Sequence, residues 1–155
     1  MNRYGLEFHH FGLAVKSPEA AFRYLEDLGY EAGSTCYDPL QKVNLAMRHH
    51  DVMPDVEVIW PGPEASPIDR MLKQRDTLIY HLCYTSGDVE RSVAALETAG
   101  LEVLQLGMAQ PALLFGGKEV SFYSITGVGI IEIIAGAPAQ VSGGAAQPRG
   151  KLVQA

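Results

Sequence analysis

Apolar and polar residues alternate over residues 7–15, and the same alternation returns over residues 78–86. A period of two marks a strand with one buried face. Behind each strand the period lengthens. Phe22, Leu25 and Leu28 fall on one face of a predicted helix, and Val89, Val93 and Leu96 on one face of another. Ser17 is a suitable N-cap for the first, with Pro18 at the first helical position, where its missing N–H costs nothing; Asp88 is the cap of the second. Gly29 and Gly100 stop the two helices. Further strands are predicted near residues 42–49 and 56–60, and near 101–106, 119–125 and 129–135. Residues 61–77 form a linker in which Ser66-Pro67 opens a short helix over 68–74. From about Gly136 the chain is rich in Ala, Gly, Gln and Pro and loses its periodicity, so residues 136–155 are expected to be a flexible tail.

The two halves are versions of one pattern. With His10 placed over His81, a spacing of 71 residues, Glu19 falls on Glu90, Phe22 on Val93, Leu25 on Leu96, Gly29 on Gly100 and Glu31 on Glu102 without a gap. The closing strands agree too, as Val56-Glu57-Val58-Ile59 and Ile131-Glu132-Ile133-Ile134. The expectation is one domain over residues 1–135, with module one at about 7–60, the linker at 61–77 and module two at about 78–135.

This repeat carries the candidate chemistry. Strict alternation gives His10 the same face as Phe8, Gly12 and Ala14, and gives His81 the face of Ile79, Cys83 and Thr85. It sends His9 to the opposite face, in a structural role. A glutamate inside an apolar strand costs several kcal/mol if buried without a partner, and Glu57 and Glu132 stand at equivalent places. They are either exposed edge residues or partnered. A divalent cation is the simplest partner for His10, Glu57, His81 and Glu132, and imidazole with carboxylate suits Zn, Ni, Co, Mn or Fe rather than Cu(I). Around that site Cys83, Lys118 and Asn44 are the candidate substrate-binding residues. Cys83 follows His81 by two, where a small buried thiol is the plainer role, and Lys118 follows Gly116-Gly117, either to meet an anionic group or to stay solvated.

Composition narrows the classes. A chain of 155 residues has room for one domain with a real core. A net charge of −6 offers no general basic face for nucleic acid. Cys36 and Cys83 cannot form a disulfide framework, so a reducing cytoplasm is expected. No apolar run approaches the roughly 20 residues that span a membrane, and the first residues lack the apolar core of a signal peptide.

The start His-x-Gly-hydrophobic-Ala-Val, the strand at His81, the glycine-rich stretch before Val-x-Phe in the 116–122 region and the closing Gly-Ile-Ile-Glu-Ile-Ile together resemble the glyoxalase / bleomycin-resistance / dioxygenase (vicinal oxygen chelate) superfamily over roughly residues 7–135. The linker Ser-Pro-Ile-Asp-Arg-Met-Leu is similar to that of the methylmalonyl-CoA epimerase branch, and a Glu at 57, where epimerases usually have Gln, resembles metal-dependent glyoxalase I. The resemblance implies an α+β fold of two tandem βαβββ modules forming a cupped mixed sheet around a central divalent metal on His10, Glu57, His81 and Glu132. It implies an isomerase or lyase that takes a proton α to a carbonyl, with Glu132 or Glu57 as base and metal stabilisation of an enediolate, on a small molecule such as an acyl thioester. The strand Gln41–Leu45, where such epimerases carry a second acidic base, has no carboxylate here, and the first helix offers only Arg23 to glutathione. The alternatives are a non-catalytic binder of bleomycin-resistance type and an extradiol iron dioxygenase, against which the fourth ligand, Glu57, counts. A homodimer is the expected assembly, without nucleic-acid or membrane partners.

Overall fold

A computed structural model describes residues 2–136. Its elements run β1 (Leu6–Val15), α1 (Glu19–Asp27), β2 (Glu31–Asp38), β3 (Val43–His49), β4 (Asp55–Pro61), α2 (Pro67–Leu72), β5 (Thr77–Ser86), α3 (Val89–Thr98), β6 (Val103–Gln105), β7 (Gln110–Pro111), a 3₁₀ turn (Leu113–Phe115), β8 (Glu119–Ile125) and β9 (Gly129–Ala135). This is an α+β protein of two tandem modules sharing one mixed sheet. The strand order is β2-β3-β4-β1-β5-β9-β8-β6, with β7 pairing β8. The modules meet where β1 and β5 pair antiparallel. Each first strand then pairs parallel with the last strand of its own module, β1 with β4 and β5 with β9.

The four central strands are therefore β4, β1, β5 and β9, and alternation sorts their side chains between two faces. Val56 and Val58 pack with Val15 and Leu25 of α1. Ile131 and Ile133 pack with Leu6, Tyr123, Ile125 and Leu96 of α3. The intervening positions, Glu57, Ile59, Glu132 and Ile134, face the other way. There α2 contributes Ile68 and Leu72 to a cluster with Ala14, Val43, Leu45 and Ile59, and Cys83, Ala112, Val120 and Ile134 form a second cluster. Burying some ten such side chains at about 1.5–3 kcal/mol each is what fixes the register of the central strands.

The helix stops behave as the sequence predicts, with Gly29 at φ +95° and Gly100 at φ +84°. Asp88 caps α3 by accepting from the Arg91 backbone N–H at 3.0 Å. Ser17 does not cap α1: Pro18 holds the N-cap position, and no side chain bonds there. The short helix opens with a capping box between Ser66 and Asp69. Strand β2 was not expected, because Glu31–Asp38 is polar, contains Gly33 and lies at a sheet edge, mostly exposed, so no buried face imprints an alternation. The expected tail lies, apart from Gly136, outside the described residues.

Two side-chain faces differ from strict alternation. The pairing of β1 with β5 slips between Phe8 and His10 and again between His81 and Ile79, which makes His9 and Tyr80 bulge residues. A bulge inserts one residue and flips the parity beyond it. Phe8 consequently leaves the face of His10 and meets Phe11 and Tyr84. Ile79 is exposed, and Leu78 and Tyr80 instead join the apolar cluster under α2. His9, expected on the face opposite His10, turns back toward it.

Candidate metal centre

His10 and His81 stand on β1 and β5, and Glu57 and Glu132 on β4 and β9, one per central strand. Register brings them together symmetrically. His10 is the cross-strand partner of Cys83, and Gly12 that of His81. Glu57 lies beside Gly12, and Glu132 beside Cys83. All four candidate ligands are essentially buried, none more than 3% exposed. His81 Nε2 lies 3.0 Å from Glu132 Oε2 and 3.5 Å from Glu57 Oε2. His10 Nε2 lies 3.5 Å from each of the same two oxygens and 3.3 Å from His81 Nε2. One donor atom from each of the four falls within 4.8 Å of all the others.

Room for the cluster comes from a glycine. A Cβ built at Gly12 would overlap the His81 ring, so the His-x-Gly spacing in β1 is a packing requirement of the ligand from the other module. Phe122 and Tyr80 pack against the other sides of that ring, with centroids 5.6 and 5.3 Å away. Phe115 sits 5.5 Å from the His10 ring. His9 Nδ1 is 2.7 Å from His10 Nδ1.

The residues fit a divalent cation. Ligand atoms about 2.0–2.2 Å from one ion stand roughly 3 Å from each other, and the Nε2–Oε2 and Nε2–Nε2 separations are 3.0–3.5 Å. Glu132 Oε2 and His81 Nδ1 are buried and make no hydrogen bond among the described residues; His81 Nε2, 3.0 Å from that oxygen, faces it as a charge contact outside hydrogen-bond geometry. An orphaned carboxylate oxygen in a dry cluster is costly unless a cation faces it.

The electrostatics follow from burial and charge. Burial alone pushes the His81 imidazole down, but the Glu132 carboxylate, aided by Glu57, outweighs it and holds the group above its ordinary value. Burial pushes Glu132 up, and the imidazoles of His81 and then His10 more than offset that, leaving it below its ordinary value. Burial, then the facing Glu132, raises the Cys83 thiol far beyond the range where it ionises. Burial and then His10 lower His9, which favours its neutral form.

Beside the cluster, on the same face, lies a cavity of about 650 Å³. Tyr80 and Phe122, which hold the His81 ring, also line it, together with Ile59, Ile68, Met71 and Val120. Its polar lining residues are Gln41, Lys42 and Gln110, and no acidic residue lines it. Of the three substrate-binding candidates, none is among the lining residues. Asn44 points off this face and donates to the Pro61 carbonyl at 2.9 Å. Lys118 is exposed. Cys83 is fully buried in the cluster with Ala112, Val120 and Ile134. Sequence reasoning missed Tyr80 as a wall, because only the bulge turns it inward. It also missed Met71, whose place on the cavity side of α2 follows from the Ile68–Leu72 face.

Comparison with known proteins identifies the family and the fold. A sequence profile of the glyoxalase/bleomycin resistance protein/dioxygenase superfamily matches residues 9–122. No curated protein sequence matches. Among solved structures, methylmalonyl-CoA epimerase from Mycobacterium tuberculosis is 22% identical, with a TM-score of 0.68 over 86% of this chain and 89% of its own. A hypothetical protein from Bacillus halodurans is 20% identical, with a TM-score of 0.70 over 86% and 96%. A variant of Streptomyces coelicolor methylmalonyl-CoA epimerase in complex with 2-nitronate-propionyl-CoA is 18% identical, with a TM-score of 0.68 over 84% and 94%. Fold, repeat and profile agree: the chain belongs to the glyoxalase/bleomycin resistance protein/dioxygenase superfamily.

Proposed function

We propose that the chain is a divalent-metal-dependent enzyme that removes a proton α to a carbonyl, an isomerase or lyase acting on a small α-carbonyl compound such as an acyl thioester. The observation that carries this reading is the buried convergence of His10, Glu57, His81 and Glu132, with an orphaned carboxylate oxygen at its centre. Zn, Ni, Co and Mn all suit two imidazoles and two carboxylates. When bound, such an ion supplies Lewis acidity at a carbonyl oxygen, which makes the neighbouring C–H acidic.

The chain's own residues do the rest. His10 and His81 would each present Nε2 to such an ion. Glu132 and Glu57 are the carboxylates within reach, and we assign the proton to Glu132, with Glu57 as the alternate base. No acidic residue lines the cavity, so the pair at the cluster are the bases on which this reading depends. Tyr80 and Phe122 keep water from the His81 side, and the apolar cavity receives the body of the substrate. The epimerases of similar fold act on acyl thioesters, which favours that class among α-carbonyl compounds.

The test is elemental analysis of the purified protein and its Glu57→Ala variant, followed by α-proton exchange in deuterated water with acyl-CoA and α-ketoaldehyde substrates. About one transition metal per chain, sharply reduced in the variant, supports the site; exchange that needs the metal supports the reaction. A protein that takes up none of Zn, Ni, Co or Mn refutes both and leaves a binding protein on this fold.

A further inference from the structure

The two modules break regular strand pairing at the same point. The extra residue is His9 in β1 and Tyr80 in β5, again 71 positions apart and each just before a candidate ligand. Both bulges turn their residue toward the cluster, but the two contacts differ in kind. Tyr80 lays its ring against His81 and leaves His81 Nδ1 without a partner. His9 instead places Nδ1 at 2.7 Å from His10 Nδ1, a hydrogen bond that needs a proton on one of the two nitrogens.

Chemistry decides which nitrogen carries it. His10 Nε2 faces the two carboxylates and His81 Nε2, so this is the atom that would ligate a cation. A neutral imidazole that offers Nε2 as a lone pair carries its proton on Nδ1. That proton points at His9 Nδ1, and the His9 ring is braced edge-on by Phe115 with centroids 5.4 Å apart. We infer that His9 is a positioning residue for metal binding: its Nδ1 accepts the His10 Nδ1–H and so fixes the tautomer and ring plane that present Nε2 to the cation. The inference rests on the metal reading above and adds an asymmetry to it. His10 has a hydrogen-bonding partner behind its ligating nitrogen, from its own strand, whereas behind His81, on the Nδ1 side, there is only ring packing.

The test compares His9→Asn with His9→Leu. Asn and Leu are close in size, but only the amide oxygen can accept near the position of Nδ1. Zn²⁺ affinity is measured by chelator competition, alongside the Co²⁺ ligand-field spectrum and the melting temperature of the metal-free proteins. Loss of a partner behind a ligating histidine typically weakens metal binding by about 10–100-fold. The expected result is Zn²⁺ binding at least about tenfold weaker in His9→Leu, with His9→Asn within about threefold of the native protein and the two variants melting together. A Co²⁺ spectrum altered in Leu and restored in Asn supports the same conclusion. Equal affinity in the native and Leu proteins overturns the inference while leaving the metal site standing. Equal weakening in Asn and Leu overturns it too, by assigning the effect to ring packing. A native protein that binds neither ion overturns the metal reading and this inference with it.

Discussion

The two modules deliver the same pair of ligand types from the same strands, yet surround them differently. In module one the residue two past the ligand histidine is Gly12; in module two it is Cys83. The His81 ring lies over Gly12, with no space for a Cβ, while His10 has the buried Cys83 thiol as its cross-strand neighbour. His9 bonds to its ligand and Tyr80 packs on its own. The backbone therefore preserves the repeat, bulges included, while each ligand's immediate neighbours set its electrostatics separately. Duplication explains why four ligands converge, and divergence of the second layer decides how firmly each is held.

The sharpest break in the comparison is between Gly12 and Cys83. Gly12→Ala drives a methyl into the His81 ring, so the ring must swing from the cluster. Zn²⁺ affinity is expected to fall by about 100-fold or more, equivalent to ~2.7 kcal/mol. Cys83→Ala removes one buried sulfur from a packed cluster and is expected to cost about 1 kcal/mol of stability, with Zn²⁺ affinity changed by less than about tenfold. Chelator competition and thermal melts of both variants check this. Comparable losses of affinity would show that the glycine has no special steric role.

The second effect is one of pH, and it separates His81 from His9. The folded-state value of His81 is raised, chiefly because Glu132 overcomes burial. Its stabilisation is thus fully present below the unfolded value, about 6.5, and is lost as pH rises through the folded one. His9, lowered by burial and by His10, is neutral in both states only once pH is well above about 6.5, and there it adds no slope. Glu132, lowered, contributes above its unfolded value of about 4.3 and loses that contribution as pH falls through the folded value. The metal-free protein should therefore melt at lower temperature at pH 8 than at pH 7, a window below the range where the raised Cys83 and Cys36 thiols add their own alkaline loss. Excess Zn²⁺ should flatten that decline, because the ion takes the deprotonated imidazole. A metal-free melting temperature that rises between pH 7 and 8 contradicts the pairing of His81 with Glu132.

Much of this was legible in the sequence, for physical reasons that vary by residue. Glu57 and Glu132 stood out because a carboxylate between β-branched residues is expensive, and the repeat of His10 at His81 gave the four a common destination. The offset of 71 also aligned both helices and their glycine stops. What stayed hidden depends on pairing rather than on pattern. Period-two alternation assigns faces only within an unbroken strand, so two bulges misplaced Phe8, His9 and Ile79 and hid Tyr80. Strand β2 lies at an exposed edge with no apolar face to betray it. Asn44 and Lys118 fall outside the cavity, whose walls include Gln41, Lys42 and Gln110, because which positions of a strand or loop wall a pocket depends on packing between elements.

Helix starts offer a smaller contrast between the modules. Asp88 accepts from the Arg91 N–H, whereas nothing caps α1 with a side chain. Asp88→Ala is expected to cost about 1 kcal/mol, or about 2–4 °C in melting temperature for a chain of this size. Ser17→Ala should be close to neutral. Equal losses would mean that Ser17 caps α1 in solution after all.

The smallest expected effect is that of Tyr80→Phe, and it isolates what the bulge in β5 contributes. The phenol has no hydrogen-bond partner among the described residues, and burial, with Glu132 and Glu57 nearby, raises its pKa and keeps it neutral. Phenylalanine retains the ring that packs 5.3 Å from His81 and 6.3 Å from Phe122. Zn²⁺ affinity should therefore stay within about twofold, ~0.4 kcal/mol, as measured by the same chelator competition. The corresponding change at the equivalent position of module one, His9→Leu, removes a hydrogen bond to the ligand itself and is expected to cost at least about tenfold. The two measurements together separate a bulge that bonds from a bulge that only packs. A loss in Tyr80→Phe as large as that in His9→Leu would mean that the hydroxyl sustains the His81 side through its own polar contacts, and the asymmetry between the modules would disappear.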